Sequence, residues 1–176
     1  CGLHPMPSKT PANAVVHGLV DRGEYTVERV FLESFPGHYV TGSLYRSKGR
    51  SGKLPGVLCP HGHWADGRFY EAPEEKFKKQ LETNAEKFDP SGRYPLQARC
   101  VQLARMGCVV FQYDMVGYAD SQQIAHRPGL RDAMNTPENW GYFSPQAELR
   151  LQNMMGLQTY NSIRALDWFE TLPDVD

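Results

Sequence analysis

The sequence predicts an α/β fold in which an antiparallel hairpin leads into a mostly parallel sheet with flanking helices, the sheet being left incomplete. Three observations carry this. Two runs rich in β-branched and aromatic residues flank a Phe35-Pro36-Gly37 turn. Farther along, a short apolar strand, an amphipathic helix and a second apolar strand succeed one another. A long helical pattern then closes the chain, with a turn after it that would lead into another strand.

The 176 residues, 40% of them hydrophobic, suffice for one domain with its own core. A formal net charge of −1 leaves no broad positive field, so neither nucleic acid nor an anionic membrane surface is an expected partner. No apolar run approaches the roughly 20 residues of a transmembrane helix. Residues 1–24, with Pro5, Pro7 and Pro11, read as a flexible lead, and residues 25–176 as part of one domain. The opening Cys1-Gly2 fits either a processed, lipid-bearing N-terminus or a fragment boundary. The first implies a secreted or periplasmic protein anchored through Cys1, and the second leaves a cytoplasmic location open. Cys59, Cys100 and Cys108 stand in apolar stretches without CxxC spacing, which suits small buried hydrophobes better than zinc or a disulfide framework.

Element by element, Tyr25 to Glu33 and His38 to Arg46 form the hairpin. Val40, Gly42 and Leu44 share one face of its second strand, and Tyr39, Thr41, Ser43 and Tyr45 the other. Pro55 to Pro60 is expected to be a buried strand. Residues 65–94 are charged and irregular, with a helix around Glu74 to Lys87 and a break at Asp89-Pro90-Ser91-Gly92. Leu96, Cys100, Leu103 and Ala104 recur at helical spacing, and Gly107 follows at a favoured left-handed cap. Cys108 to Tyr113 is the second buried strand, Asp114 to Ser121 a turn, and Ile124 to Ser144 a loop region. Between Pro145 and Leu172 an apolar stripe of Leu151, Met155, Ile163, Leu166 and Phe169 predicts a helix packed by that face.

The best site candidate is His61-Gly62-His63-Trp64, directly after a strand, because ligands of open α/β sheets bind at the carboxyl ends of strands. A glycine there allows a sharp turn and close backbone approach, letting the following N–H groups point at a developing oxyanion. PGVLCPHGHW resembles the strand and HGxW-type oxyanion turn of α/β-hydrolases. VVFQYDMVGYADS resembles the family's next strand and its D-x-x-G-x-x-x-S turn, here Asp114, Gly117 and Ser121. GLQTYNSIRALDWFETLPDVD resembles the helix and turn preceding the strand that bears the G-x-S-x-G nucleophile.

The subgroup most similar is the acetyl xylan esterase and cephalosporin deacetylase-like bacterial hydrolases, and the resemblance spans residues 25–176 as the N-terminal half of such a domain. It implies ester hydrolysis by a serine nucleophile, a small ester or acylated carbohydrate as substrate, no cofactor, and the missing C-terminal half as partner. It further implies that the backbone N–H of His63 is one oxyanion donor, with His61 and Gly62 shaping the loop. Nucleophile, base and acid have no counterpart, and no G-x-S-x-G occurs, so the isolated chain is expected to be inactive.

Bland readings stand beside these. His61 serves either the loop's shape or proton transfer, and Trp64 either walls a substrate pocket or packs beneath residues 65–94. Asp114 and Ser121 more often bond to local backbone than act as acid and nucleophile. His61-x-His63 followed by Asp66 resembles the H-x-H-x-D-H run of two-metal hydrolases, but Asp66 falls one residue late and Gly67 stands where a histidine is needed. Outside enzymology, an incomplete sheet edge fits a non-catalytic remnant or an assembly module that pairs with another chain.

Overall fold

A computed structural model describes residues 2–64, 66–123, 149–150 and 152–176. Its strands are β1 (Val15–Asp21), β2 (Tyr25–Phe35), β3 (His38–Ser47), β4 (Gly56–Leu58) and β5 (Val109–Tyr113). Its helices are α1 (Glu74–Glu82), α2 (Asp89–Arg93), α3 (Pro95–Met106) and α4 (Met154–Phe169), with a 3-10 turn at Gly67–Phe69. The strands form one open sheet in the order β1-β2-β3-β5-β4. β1, β2, β3 and β5 pair antiparallel in succession, and β4 runs parallel to β5. This is the expected mixed α/β sheet.

The β2–β3 hairpin closes at Phe35↔His38 after a register shift beyond Glu33. The Glu33 carboxylate accepts the Gly37 N–H at 2.6 Å, so the turn is tied by the strand that enters it. Pro95 starts α3, where its missing N–H is no loss. Gly107, at φ +105°, ends it and turns the chain into β5. That sharp reversal brings helix and strand together as neighbours.

Alternation along the strands feeds two apolar layers. Val30, Leu32, Val40, Leu44, Val109, Phe111 and Tyr113 pack with Ala165, Trp168 and Phe169 of α4. Tyr45, Val110 and Cys59 pack with Cys100 and Ala104 of α3. Helices therefore cover both faces, and every residue of β5 is buried.

Five expectations need adjustment. The segment read as a lead contains β1, whose seven residues are all exposed and which pairs with β2 alone. The strand after Pro55 is the sheet's edge in the described residues, with Gly56 exposed and Val57 and Leu58 half-buried. The helix begun at Glu74 ends at Glu82, and the expected break at Asp89 is instead the short helix α2.

In α4 the buried face is turned from the predicted stripe. Met155 and Leu166 are exposed, whereas Tyr160, Asn161, Arg164, Ala165, Trp168 and Phe169 are buried. The large aromatics outweigh the aliphatics, and the buried polar groups are matched. Asn161 accepts from Ser34 at 2.7 Å and meets His38 Nε2 at 3.1 Å, and Arg164 donates to the Thr10 carbonyl. The loop expected over Ile124 to Ser144 lies outside the described residues, as do Leu151 of the stripe and Cys1.

Candidate active site

β4 and β5 deliver their carboxyl ends side by side, and the Cys59 N–H extends their ladder by donating to the Phe111 carbonyl at 2.9 Å. Two loops leave from there: His61 to Tyr70 after β4, and Asp114 to Gln123 after β5. His61, Gly62, His63 and Trp64 are thus on the turn at the carboxyl end of β4, next to the loop that carries Asp114 and Ser121.

His61 joins the two loops. Its ring is buried; Nδ1 lies 2.8 Å from the Gly62 carbonyl, and Nε2 lies 3.1 Å from the Met115 N–H. A backbone N–H can only donate, so Nε2 accepts and the hydrogen belongs on Nδ1, facing the Gly62 oxygen. These contacts define a neutral imidazole. Burial holds its pKa below the ordinary histidine value, and Arg68 adds to this, while the Gly62 carbonyl and Asp114 work against it. Asp114 Oδ1 stands 4.0 Å from Nε2, beyond hydrogen-bonding range.

Two glycines permit this packing. A Cβ on Gly62 would lie 2.7 Å from the Trp64 ring. Gly67 sits at φ +56°, and its Cβ would come within 2.9 Å of His61 Nε2. Trp64 is 39% exposed, with its ring 5.9 Å from that of Tyr70. His63 is exposed and meets the Tyr118 hydroxyl through Nδ1. The Tyr118 ring lies edge-on to both His61, at 5.3 Å, and His63, at 5.4 Å.

Beneath the turn lies an ion-pair cluster that sequence reasoning missed. Arg68 is 2% exposed; its guanidinium pairs with Asp114, donates to Asp120 at 2.6 Å and to Ser43 Oγ at 3.1 Å. Asp114 Oδ2 also accepts from Thr41 Oγ1 at 2.5 Å and from the Asp120 N–H at 3.3 Å. Burial pushes the Asp114 pKa up, and Arg68 and Thr41 pull it back down. Ser121 Oγ contacts Thr41 Oγ1 at 2.9 Å and accepts the Thr41 N–H at 3.2 Å. Asp114 and Ser121 therefore bond to β3 and Arg68 rather than facing each other as acid and nucleophile. Nothing in a linear spacing pairs Arg68 with Asp114; the one available signal was that a cation beside a buried turn requires an anion.

The two-metal alternative is not what this geometry builds. Both His61 ring nitrogens are committed to backbone groups, and among the described residues no cluster of three or more His, Cys, Asp or Glu side chains converges as a ligand set. Nor is any helix among them long and apolar enough to cross a membrane.

With parallel strands delivering two loops, interlocked through the buried His61, to one sheet end, the chain carries part of the α/β-hydrolase fold. No protein-family model and no curated protein matches it. Solved structures do. The chain is similar to a methylesterase, BT1017, with a TM-score of 0.62 at 24% identity, covering 96% of this chain and 28% of that one. It is also similar to an acetyl xylan esterase from Paenibacillus sp. R4, with a TM-score of 0.59 at 18% identity, covering 95% and 44%. A glucuronoyl esterase from Solibacter usitatus gives 0.50 at 17% identity, covering 97% and 45%. The chain thus spans less than half the length of each.

Proposed function

We propose that this chain is the oxyanion-turn portion, residues 25–176, of a serine α/β-hydrolase that cleaves a small ester or an acylated carbohydrate. The observation that carries the reading is the His61–Trp64 turn at the carboxyl end of β4, locked to the neighbouring loop through His61. The esterase names of its structural neighbours supply the reaction class.

In this reading the His63 backbone N–H donates to the oxygen of the tetrahedral intermediate, where an oxyanion donor contributes about 3–4 kcal/mol to the transition state. The neutral His61 ring and Gly62 hold the turn's shape, and Trp64 with Tyr70 walls one side of the substrate space. His61 is assigned no proton transfer, because Nε2 already accepts from Met115 and Nδ1 faces Gly62. The serine, its base and its acid come from a further segment outside these 176 residues, and water resolves the acyl-enzyme. No cofactor enters this chemistry.

Reading the gene beyond the codon for Asp176 and labelling both proteins with a fluorophosphonate tests this. A G-x-S-x-G turn following the next strand, with labelling of the longer protein and none of the 176-residue chain, is the expected result. Labelling of the short chain, or a continuation without a serine turn, overturns it. The second of these would favour the assembly-module reading.

A further inference from the structure

The three cysteines among the described residues fall in one apolar cluster. Cys59 and Cys100 are buried there with Tyr45, Ala104 and Val110, and Cys108 packs against them. Heights along the sheet and helix decide which two meet. Gly56 is in register with Val109, so Cys108 stands level with Pro55, at the start of β4. Cys59, whose N–H bonds to the Phe111 carbonyl, stands at the other end. Four residues of strand separate those levels by about 13 Å.

α3 runs back along β5 from Gly107, and the eight residues from Cys108 to Cys100 rise by about 12 Å. Cys100 is therefore level with Cys59. Two contacts fix that alignment independently: Gln112 Nε2 reaches the Leu96 carbonyl one turn from Cys100, and Arg99 Nη2 reaches the Pro60 carbonyl, each at 3.5 Å. The residues flanking the two thiols thus touch each other, and both thiols lie in the same buried cluster.

We propose that Cys59 and Cys100 are a redox-active dithiol that closes to a disulfide by exchange with a small-molecule disulfide, fastening the stem of the His61–Trp64 turn to α3. The two sulfurs are chemically unequal. Cys100 beside it, with help from Arg99, draws the Cys59 thiol down to about 7 against the opposing effect of burial. Cys59 and burial push Cys100 up. Cys59 is also the more exposed of the two, 6% against 0%, and is the attacking thiolate. It forms a mixed disulfide with one sulfur of the oxidant and expels the other as a thiol. Cys100 then gives up its proton and attacks the Cys59 sulfur, releasing the second thiol. Two electrons and two protons leave the pair, and one small-molecule disulfide becomes two thiols. Cys59 lies two residues before His61 and inside the β4–β5 ladder, so closure ties the turn's stem to α3 without breaking a sheet hydrogen bond.

The test is to incubate the folded 176-residue chain with excess oxidised glutathione, quench in acid, alkylate and map the peptides. A peptide pair joining Cys59 to Cys100, two hydrogens lighter than its reduced parts and restored by dithiothreitol, is expected. The oxidised chain should also unfold at a higher denaturant midpoint than the reduced one. Cys108→Ser should close as the wild type does, and Cys100→Ser should stop at a glutathione adduct on Cys59. Full alkylation of both cysteines after oxidation, a persistent glutathione adduct on Cys59 in the wild type, or a link to Cys108 overturns the proposal. The wild-type map decides this by itself if Cys100→Ser does not fold.

Discussion

Replacing Arg68 by Met keeps the stem's volume and removes the charge under the turn. Asp114 then stays in the interior with its carboxylate facing Thr41 and the Asp120 N–H, and no other cation paired with it among the described residues. Breaking a buried pair by removing one partner costs about 3–5 kcal/mol, because the surviving charge is left uncompensated. The arm to Asp120 adds little, since that carboxylate is 58% exposed and screened. In urea, with a slope of about 2 kcal/mol per molar, the unfolding midpoint should fall by about 1.5–2.5 M. Against a total of about 5–15 kcal/mol this is a large fraction of the fold's stability. Adding Asp114→Asn to Arg68→Met removes the stranded charge, keeps an acceptor for Thr41, and should recover at least half of the loss. A single-variant shift under about 0.5 kcal/mol, or no recovery in the pair, would show that the Arg68–Asp114 contact does not hold the two loops together.

The remaining predictions address the same turn and core. His61 and His38 are both held below the ordinary value of 6.5 by burial, so the unfolded chain binds more protons than the folded one just below that pH. Their contribution is fully present above about pH 6.5 and is lost as pH falls toward the depressed folded values. Urea midpoints measured from pH 8 to pH 5 should decline, and His61→Gln should make the decline shallower; equal slopes in the two proteins would refute the assignment of His61. Gly67→Ala must carry a side chain at φ +56° and place it against His61, and should lose about 1–3 kcal/mol by chemical denaturation, whereas Gly49→Ala, with open space around it, should lose less. Trp168→Ala removes a ring that meets Phe111 edge-on at 5.0 Å and should cost about 3–5 kcal/mol, measured in the same way.

The elements set by short-range chemistry were legible in the sequence. Phe35-Pro36-Gly37 marks the hairpin, Pro95 and Gly107 bracket α3, and Val109 to Tyr113 is apolar apart from Gln112 because both its faces are covered. What was not legible depended on partners distant in sequence. β1 is exposed on all seven residues and exists by pairing with β2, so no burial pattern announces it. No local spacing marks Arg164 as buried, because its acceptor, the Thr10 carbonyl, lies far away in the sequence. The site divides in the same way. The turn His61–Trp64 could be placed from the strand before it, but Arg68, Thr41 and Tyr118 enter only when β3 and the β5 loop are brought beside it.

That division bears on the oxyanion role proposed for the turn. An oxyanion donor is effective when its N–H is already aimed before charge develops, since reorienting a dipole during the reaction would consume the gain. His61 to Trp64 has little regular structure of its own, and its shape comes from what it rests on. Met115 fixes the His61 ring from the neighbouring loop, Gly67 leaves room for that ring, and Arg68 fastens the following residues to Asp114 and to Ser43 of β3. All of these anchors are in the 176 residues. It follows that the turn should keep its conformation whether or not a nucleophile is present, and that Arg68→Met should disturb it even where the sheet survives. On the proposed function, that variant of the longer protein should lower kcat more than it raises KM for a small aryl ester, because a His63 donor would act on the developing charge and not on the bound ester. A rise in KM alone would instead assign Arg68 to substrate binding and sever the ion-pair cluster from the turn.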